Sequence, residues 1–368
     1  MQSYSKLARP TYHVTASLLL ALLTVSCTIF KKRPDSHMGK LRTTEDEAVL
    51  NLYIWADYTS PAMIEDFTRA SGIKIRESNY ASNEELLAKL QSGATGYDLI
   101  VPSDYMVSTM IKLNLLQQLD RRRITRLDQI DPRFLGRSYD PANTWSVPFA
   151  WAVSGIAVNT RAYKDPVTSW NDLLRNQKVK GRVSLMDDVR EALAVALKID
   201  GHSVNTQNRD ELNQAKTTLI TAKQNLKAFN AFPSTLITTG EVVMAHMYSG
   251  ETMVAARDSG KALQFVIPKE GSIIAIDNMV IPKGAKHVDA AYAFINYFYQ
   301  PRVNADFVQR MYYGPVVKGA AAFLPLELKQ HPVLFPTEST IKNCEMLRDL
   351  GDTTTIYDRI WLEVKVSG

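Results

Sequence analysis

The sequence predicts an α/β protein of two lobes, each a mostly parallel sheet flanked by helices, with a cleft between them. Short apolar segments typical of strands alternate with segments of helical periodicity from Val49 onward. The same alternation begins again after the aromatic, proline-marked stretch 148–151. A chain of 368 residues is long enough for two domains of ordinary size, or for one unusually large domain.

The first half of the chain contains three predicted strands, at 49–55, 73–77 and 98–101. Helices are predicted at 60–71, where Met63, Ile64 and Phe67 recur at helical spacing, at 83–91 and at about 105–113. Pro102 closes the third strand. Because ligands of such sheets bind beyond the carboxyl ends of the strands, the residues that follow each strand are the candidates for a site.

The second half repeats this rhythm and ends in a clear amphipathic helix. Strands are predicted at 182–185, 242–247 and 265–267, the last of them stopped by Pro268, and a helix at about 189–199. The final helix, 287–299, carries apolar residues on one side and is ended by Pro301.

Composition excludes several classes of protein. With 45% hydrophobic and 22% charged residues, the chain falls within the globular range, and a formal charge of +5 is too weak to indicate nucleic-acid binding. Two cysteines cannot form a disulfide framework. Neither a glycine-rich phosphate loop nor a metal-binding HExxH or CxxC motif occurs, so the sequence predicts no cofactor and no metal.

The N-terminus has the features of a secretory leader. Lys6 and Arg9 precede an apolar run of about ten residues, too short for a membrane-spanning helix, and small residues lead to Cys27. We predict a signal peptide at 1–26, lipidation of Cys27 and a flexible tether at 27–48, although Thr24 departs from the usual lipobox leucine. The alternative is an ordinary signal peptide cut nearby. Cleavage before Cys27 leaves 342 residues with a formal charge of +3, and Cys344 as an inert, buried thiol rather than a nucleophile.

Carboxylates and aromatic side chains recur together at the ends of the predicted strands. They are Trp55, Asp57 and Tyr58; Ser103, Asp104 and Tyr105; Asp187, Asp188 and Glu191; Tyr248; and Asp277. Carboxylates form charge-assisted hydrogen bonds with ammonium groups, and aromatic faces attract cations and cover methylene groups. The pattern therefore suits a ligand that is cationic and has an apolar body.

Each of these residues also has a structural interpretation. Asp188 followed by Glu191 has the spacing of a capping box, and Asp57 and Asp104 are placed to cap helices. Asp277 is harder to explain in this way, because it follows an apolar segment and needs a partner if it is buried. His246 lies in an apolar strand and is expected to be a satisfied core histidine.

These segments resemble the spermidine/putrescine-binding proteins of bacterial polyamine ABC importers. The resemblance extends from about Leu52 to Lys365, and its motifs keep their order. They are Tyr53-Ile54-Trp55-Ala56-Asp57-Tyr58, Tyr97-Asp98-Leu99-Ile100-Val101-Pro102-Ser103, Thr168-Ser169-Trp170 with Asp172-Leu173, Asp187-Asp188-Val189-Arg190-Glu191, Pro268-Lys269-Glu270-Gly271 and Thr340-Ile341-Lys342-Asn343.

The resemblance implies a type II periplasmic-binding-protein fold in which the chain crosses the hinge about three times. The crossings are expected near Val153, Ala275 and Ala321. Lobe 1 would then comprise 49–153 and 276–321, and lobe 2 would comprise 154–275 and 322–368.

The resemblance also implies a set of ligand-binding residues and no catalytic residue. The ligand-binding set is Trp55, Asp57, Tyr58, Ser103, Tyr105, Asp188, Glu191, Tyr248, Asp277 and Tyr313. Departures from the family pattern occur at Ala56, Ala231, Phe232, Ala275 and Leu347, where polar or aromatic contacts are lost while the acidic positions stay occupied.

The function implied is capture of a polyamine, spermidine or putrescine, by a monomeric, membrane-anchored lipoprotein of the periplasm. The closed form would deliver the ligand to ABC permease subunits driven by a separate ATPase, without nucleic acid as a partner. Three alternatives remain: a binding protein for another cationic solute, an enzyme with its active site in the same cleft, and a tethered sensor or adhesin.

Overall fold

The computed structural model describes residues 48–56, 58–93 and 96–367. The predicted signal peptide, Cys27 and nearly all of the predicted tether lie outside the described residues, as does Asp57. Among the described residues, no helix is both long and apolar enough to cross a membrane.

Nine strands and thirteen α-helices make up the described chain. The strands are β1 Val49–Trp55, β2 Lys74–Tyr80, β3 Leu99–Ile100, β4 Ser146–Asn159, β5 Val183–Met186, β6 Ala228–Asn230, β7 Met244–Tyr248, β8 Leu263–Val266 and β9 Ile274–Val280. The helices are α1 Pro61–Ser71, α2 Asn83–Gln91, α3 Asp104–Lys112, α4 Trp170–Leu174, α5 Val189–Ile199, α6 Arg209–Lys223, α7 Pro233–Thr239, α8 Ser249–Ser259, α9 Val288–Phe298, α10 Pro301–Met311, α11 Leu326–Lys329, α12 Glu338–Ile341 and α13 Thr354–Val366.

The strands join in the order β2-β1-β3-β9-β4-β7-β5-β6, and β8 pairs with β4. β1 pairs in parallel with β2 and β3, and β5 pairs in parallel with β6 and β7. The pairings of β4 with β7, β8 and β9, and of β3 with β9, are antiparallel. The predicted α/β class is confirmed. The sheet is mixed rather than mostly parallel, because β9 and β4, in the middle of the strand order, pair antiparallel with their neighbours.

Strand β4 belongs to both halves of this arrangement. Its first part, Ser146 to Val153, pairs with β9, and from Ser154 it pairs with β7 and then β8. We call β1, β2, β3, β9 and the first part of β4 strand group 1, and the remaining strands, with the second part of β4, strand group 2. β4 is absent from the strands predicted from the sequence, because 13 of its 14 residues are buried and it shows no alternation of polar and apolar residues.

Most predicted elements lie within a few residues of their predicted bounds. Helices 83–91 and 189–199 are confirmed to the residue, because Ser82 and Asp188 mark their N-termini as capping residues. Strand β2 continues to Tyr80, three residues past the predicted end. Ser103 occupies the N-cap position of α3, and Asp104 is that helix's first residue rather than its cap.

Separate apolar clusters form under the two strand groups. In group 1, Phe149 from β4 stacks on Phe298 at a centroid distance of 4.3 Å and packs edge-on against Phe307. In group 2, α5 packs on β5, and α6 and α13 pack on α5, with Trp170 and Tyr357 fully buried. Each group therefore has its own core of aromatic and branched side chains.

Asp98 ties the start of β1 to the loop before α9. The carboxylate is fully buried and accepts hydrogen bonds from Asn51, from the backbone N–H groups of Lys286 and His287, and from the His287 ring. Burial alone raises the pKa of Asp98, but the hydrogen bonds from His287 and Asn51 outweigh it and lower the pKa below its ordinary value. The ionised carboxylate is thus the form that the fold stabilises.

Replacing Asp98 with asparagine should lower the free energy of unfolding at pH 7 by about 2 to 3 kcal/mol. The reason is that hydrogen bonds to a charged group are worth more than those to a neutral one, and the amide turns one acceptor into a donor. Urea denaturation of the purified protein measures the loss. Asp66→Asn, which breaks an exposed pair with Arg69, is the control and should cost less than about 1 kcal/mol. Equal losses in the two variants would contradict the assignment.

Candidate functional site

A cleft of about 990 Å³ opens where strand ends of both groups meet the middle of β9. Trp55 ends β1, Met186 ends β5 and Tyr248 ends β7, and all three line the cleft together with Asp277 of β9. β5 and β7 run parallel, so their carboxyl ends lie at the same edge. The volume is that of a small-molecule site.

Asp277 stands at the centre of the site. Its side chain is 2% exposed, and the hydroxyl groups of Tyr58 and Ser103 donate one hydrogen bond to each of its two oxygens, at 2.5 and 2.7 Å. A β-bridge between Ser103 and Asp277 holds the two residues side by side. Burial raises the pKa of Asp277 to about 6, although these hydrogen bonds act in the opposite direction.

Asp188 contributes a second carboxylate from strand group 2. It is the N-cap of α5, as the capping interpretation predicted, and it accepts hydrogen bonds from the backbone N–H groups of Arg190 and Glu191 at 2.9 and 3.0 Å. The same side chain lines the cleft. Burial, and then repulsion by Glu84 and Glu191, raises the pKa of Asp188 to about 7.

Neither of these carboxylates has a cationic partner among the described residues. Of the other charged groups of the lining, Asp187 pairs with Lys365, Arg257 with Asp258 and Arg310 with Asp306, and Glu251 accepts a hydrogen bond from the backbone N–H of Ser234. Asp188 and Asp277 form no such ion pair within the described ranges. Burying a carboxylate without a counter-ion is costly, so the cleft is electrostatically incomplete.

Aromatic rings form the wall beside Asp277. The Tyr58 ring lies 4.4 Å from Tyr313 and 6.4 Å from Trp55, measured between centroids. Trp55 in turn packs 4.8 Å from Tyr80, whose hydroxyl donates to the Val101 carbonyl. The carboxylates therefore sit among faces that suit cations and methylene groups.

Not every residue of the predicted site reaches the cleft. Trp55, Tyr58, Ser103, Asp188, Tyr248, Asp277 and Tyr313 line it. Tyr105 does not: it is buried, and its hydroxyl donates to Glu84 at 2.9 Å. Glu191 is 2% exposed and lies outside the lining, where it accepts a hydrogen bond from Tyr248.

Sequence reasoning missed Tyr80 as a wall residue. The signal was present, because an aromatic residue ends β2 just as Trp55 ends β1, but the strand was predicted to stop at Glu77. Among the departures from the family pattern, Ala56, Ala231, Phe232 and Ala275 line the cleft. Leu347 instead packs in an apolar cluster that includes Tyr105.

Cys344 lies outside the cleft lining and is partly buried. Burial raises the pKa of its thiol, which keeps it in the unreactive protonated form. This agrees with the prediction of an inert thiol and gives no support to a cysteine nucleophile in the cleft.

The family model described as bacterial extracellular solute-binding protein matches residues 62–336. The spermidine/putrescine-binding periplasmic protein of Escherichia coli (strain K12) is 36% identical over 325 residues, which cover 87% of this chain and 92% of that protein.

Two solved structures share the fold. The spermidine/putrescine ABC transporter substrate-binding protein PotD of Streptococcus pneumoniae superposes with a TM-score of 0.75 at 31% identity, covering 87% of this chain and 99% of that chain. The TpPotD lipoprotein of Treponema pallidum gives a TM-score of 0.77 at 32% identity, with coverage of 86% and 99%. The family resemblance predicted from the motifs is confirmed.

The raised pKa values predict how the stability of the ligand-free protein depends on pH. A carboxyl group whose folded pKa lies above its unfolded value binds more protons in the native state, so the free energy of unfolding falls as pH rises between the two values. For Asp277 this window runs from about 4 to about 6. Asp277→Asn should remove a decline on the order of 2 kcal/mol across it. Urea denaturation at several pH values measures the slopes, and identical slopes for parent and variant would refute the raised pKa.

Proposed function

The chain belongs to the family of bacterial extracellular solute-binding proteins, and on that premise we propose that it captures a protonated polyamine, spermidine or putrescine, in its cleft. The names of its spermidine/putrescine-binding relatives support this ligand class. Ammonium groups of the ligand pair with Asp277 and Asp188, and with Asp57 by its place in the family motif. No covalent bond is made or broken.

One observation carries the proposal: the buried Asp277 and the half-buried Asp188 line the cleft, and neither forms an ion pair within the part of the chain that the structure describes. An ammonium group supplies the missing charge and two or three hydrogen-bond donors at the same time. The hydroxyl groups of Tyr58 and Ser103 already hold the Asp277 carboxylate, so it is oriented before the ligand arrives. Such preorganisation reduces the cost of binding.

The aromatic wall accounts for the apolar part of the ligand. The methylene groups of a polyamine pack against the rings of Trp55, Tyr58, Tyr248 and Tyr313. Ring faces also stabilise the neighbouring ammonium groups through cation–π attraction, which is strongest where water is excluded. Ala275 lines the cleft with a small side chain, which leaves space beside Asp277.

The cleft closes by relative movement of two lobes with the predicted boundaries. Lobe 1 comprises 49–153 and 276–321, and lobe 2 comprises 154–275 and 322–368. The change of pairing partners along β4 between Val153 and Ser154 supports a hinge at that point. The other two crossings are proposed near Ala275 and Ala321. Closure removes water from the cleft and strengthens each ion pair.

The cellular context is proposed from the leader and the relatives. A signal peptide at 1–26 and a lipidated Cys27 would hold a monomer at the outer face of the membrane, and TpPotD of Treponema pallidum is itself named a lipoprotein. Named relatives are periplasmic proteins and ABC-transporter components. We place this chain in the periplasm, delivering its ligand to permease subunits with a separate ATPase.

A panel of amines tests the ligand class. Thermal shift and calorimetry should show binding of putrescine, cadaverine, spermidine or spermine, because each brings ammonium groups and methylene segments. At a ligand concentration a hundredfold above its dissociation constant, the gain in stability is about 2.7 kcal/mol. Lysine, arginine and thiamine are the comparison cations. Binding of one of these alone would favour a different cationic solute as the ligand. The absence of binding to every polyamine would overturn the proposal.

A matched pair of variants belongs to the same test. Asp277→Asn removes one charge without changing shape, and we expect it to weaken polyamine binding about a hundredfold or more, since it takes one partner from a buried charge pair. Asp165→Asn removes an equal charge from the exposed pair with Lys178, neither of whose residues lines this cleft, and should leave the affinity within about threefold.

Binding should also tighten as pH rises from about 5 to 8. The ligand favours the ionised forms of Asp277 and Asp188, whose pKa values are about 6 and about 7, so it lowers those values and releases protons. Its amines stay protonated over this range. Calorimetry at pH 6 in two buffers of different ionisation enthalpy measures the release. Proton uptake, or weaker binding at higher pH, would contradict this account.

A further inference from the structure

Helix α8 packs against helix α10, although the two helices belong to different parts of the fold. α8 packs on β7 and β8, and its Ala255 lies in an apolar cluster with Ala157 of β4 and Met247 of β7. α10 contributes Phe307 and Met311 to the core of strand group 1. With the proposed lobe boundaries, α8 belongs to lobe 2 and α10 to lobe 1. The contact between the two helices therefore joins the lobes, beside the cleft that both helices line.

Gly250 allows the close approach of the two helices at the cleft wall. It lies buried in the first turn of α8. A Cβ atom at this position would lie 2.9 Å from the ring of Tyr313 and 3.0 Å from the carbonyl oxygen of Met311. Tyr313 is itself buried and packs against Tyr58 and Phe307, so its ring has little room to move. Any side chain at position 250 would therefore push α8 and α10 apart.

The conformation of α8 does not itself require a glycine at this position. Gly250 lies outside the left-handed region of backbone angles, and glycine in a helix is less favourable than alanine. The close contact with Tyr313 and Met311 of the other lobe, rather than the local backbone, accounts for the glycine.

Arg257 joins the two helices near the other end of α8. Its Nη1 donates a hydrogen bond at 2.5 Å to the carbonyl oxygen of Arg310, in the last turn of α10. Carbonyl groups in the last turn of a helix have no partner within the helix, and the negative end of the helix dipole favours a cation. The guanidinium also lies 5.7 Å from the centroid of the Tyr312 ring. Asp258 holds the same guanidinium from α8.

The end of α10 places one tyrosine at each of these contacts. Tyr312 is the C-cap of α10, with φ 56° and ψ 24°. Such a left-handed backbone is uncommon for a residue other than glycine and persists where the surrounding contacts fix it. The turn leaves Tyr312 beside Arg257, while the next residue, Tyr313, lines the cleft and meets Gly250.

We propose that α8 and α10 form a clasp that stabilises the closed cleft: Gly250 lets the helices meet at the wall, and Arg257 fastens them near the far end of α8. This rests on the proposed function and assigns two positioning residues for retention of the ligand. Arg257 carries the same sign of charge as the ligand, so its effect comes through the contact with α10 rather than through attraction. Because apparent affinity falls with the fraction of molecules that are closed, loosening the clasp weakens the binding of every polyamine alike.

Substitution of Gly250 tests the contact at the wall. Gly250→Ala should weaken the binding of spermidine and of putrescine about tenfold each in calorimetry, because the added methyl group separates the helices. The free energy of unfolding of the ligand-free protein should not fall, because opening of the lobes relieves the clash and alanine favours the helix. An unchanged affinity, or a loss of stability in the ligand-free protein, would overturn the inference.

Substitution of Arg257 tests the other contact through the sign of its effect. If Arg257 were only a cation of the lining, its removal would tighten the binding of a cationic ligand. We expect Arg257→Met instead to weaken spermidine binding about fivefold, with faster dissociation in stopped-flow measurements. Arg122→Met breaks an exposed pair with Asp120, neither of whose residues lines the cleft, and should leave the affinity within about twofold. Tighter or unchanged binding by Arg257→Met would contradict the clasp.

Failure of the proposed function gives a different result. A parent protein that binds neither spermidine nor putrescine refutes the proposed function, and the clasp is then tested without a ligand. Gly250→Leu should still separate the lobes and increase the radius of gyration of the ligand-free protein in small-angle X-ray scattering. An unchanged radius of gyration overturns the clasp, whether or not the parent binds a polyamine.

Discussion

The constraint on which the rest of the site depends is the pair of cleft carboxylates, Asp277 and Asp188, which form no ion pair within the described part of the chain. Removing an ionised carboxylate from water is expensive, and the protein offsets the cost only in part. Asp277 receives two hydroxyl donors, and Asp188 sits at the N-terminus of α5, where two backbone N–H groups and the helix dipole favour a negative charge. The negative charge of the two carboxylates remains unbalanced, and a cationic ligand would neutralise it.

The topology explains why these groups meet. β1 and β3 are parallel, so Trp55 and Ser103 follow strands that end at one edge of group 1, and β9 runs back past them to bring Asp277 beside Ser103. Group 2 repeats the arrangement with β5 and β7, whose ends carry Asp188 and Tyr248. Each group supplies one of these two carboxylates to the cleft lining, so neither group forms the site alone. Relative movement of the groups would then control access and affinity together.

The sequence was sufficient for the strand ends but not for the direction of the side chains there. The carboxyl ends of parallel strands lie at the same edge of a sheet. Trp55, Asp188, Tyr248 and Asp277 could therefore be predicted to share a site. Asp188 and Glu191 are three residues apart in one motif, and in the sequence they look equivalent. Asp188, extended at the N-cap, lines the cleft, whereas Glu191 in the first turn lies outside the lining and accepts a hydrogen bond from Tyr248. β4 was missed for a related reason, because a strand buried on both faces has no period to detect.

The proposed selectivity for polyamines over cationic amino acids would follow from the same balance of charge. The formal charge of the chain is +5, and it is +3 after loss of a leader at 1–26, so the overall field does not attract a cation. Recognition must come from contacts at short range. A cationic amino acid brings a carboxylate as well as an ammonium group, and that carboxylate would need a cation in the cleft. The lining arginines Arg257 and Arg310 are already paired with Asp258 and Asp306, so they offer little to a second anion. A ligand with ammonium groups and no carboxylate would meet no such penalty. The rejection of zwitterions would therefore result from the pairing of the lining arginines with aspartates of the protein.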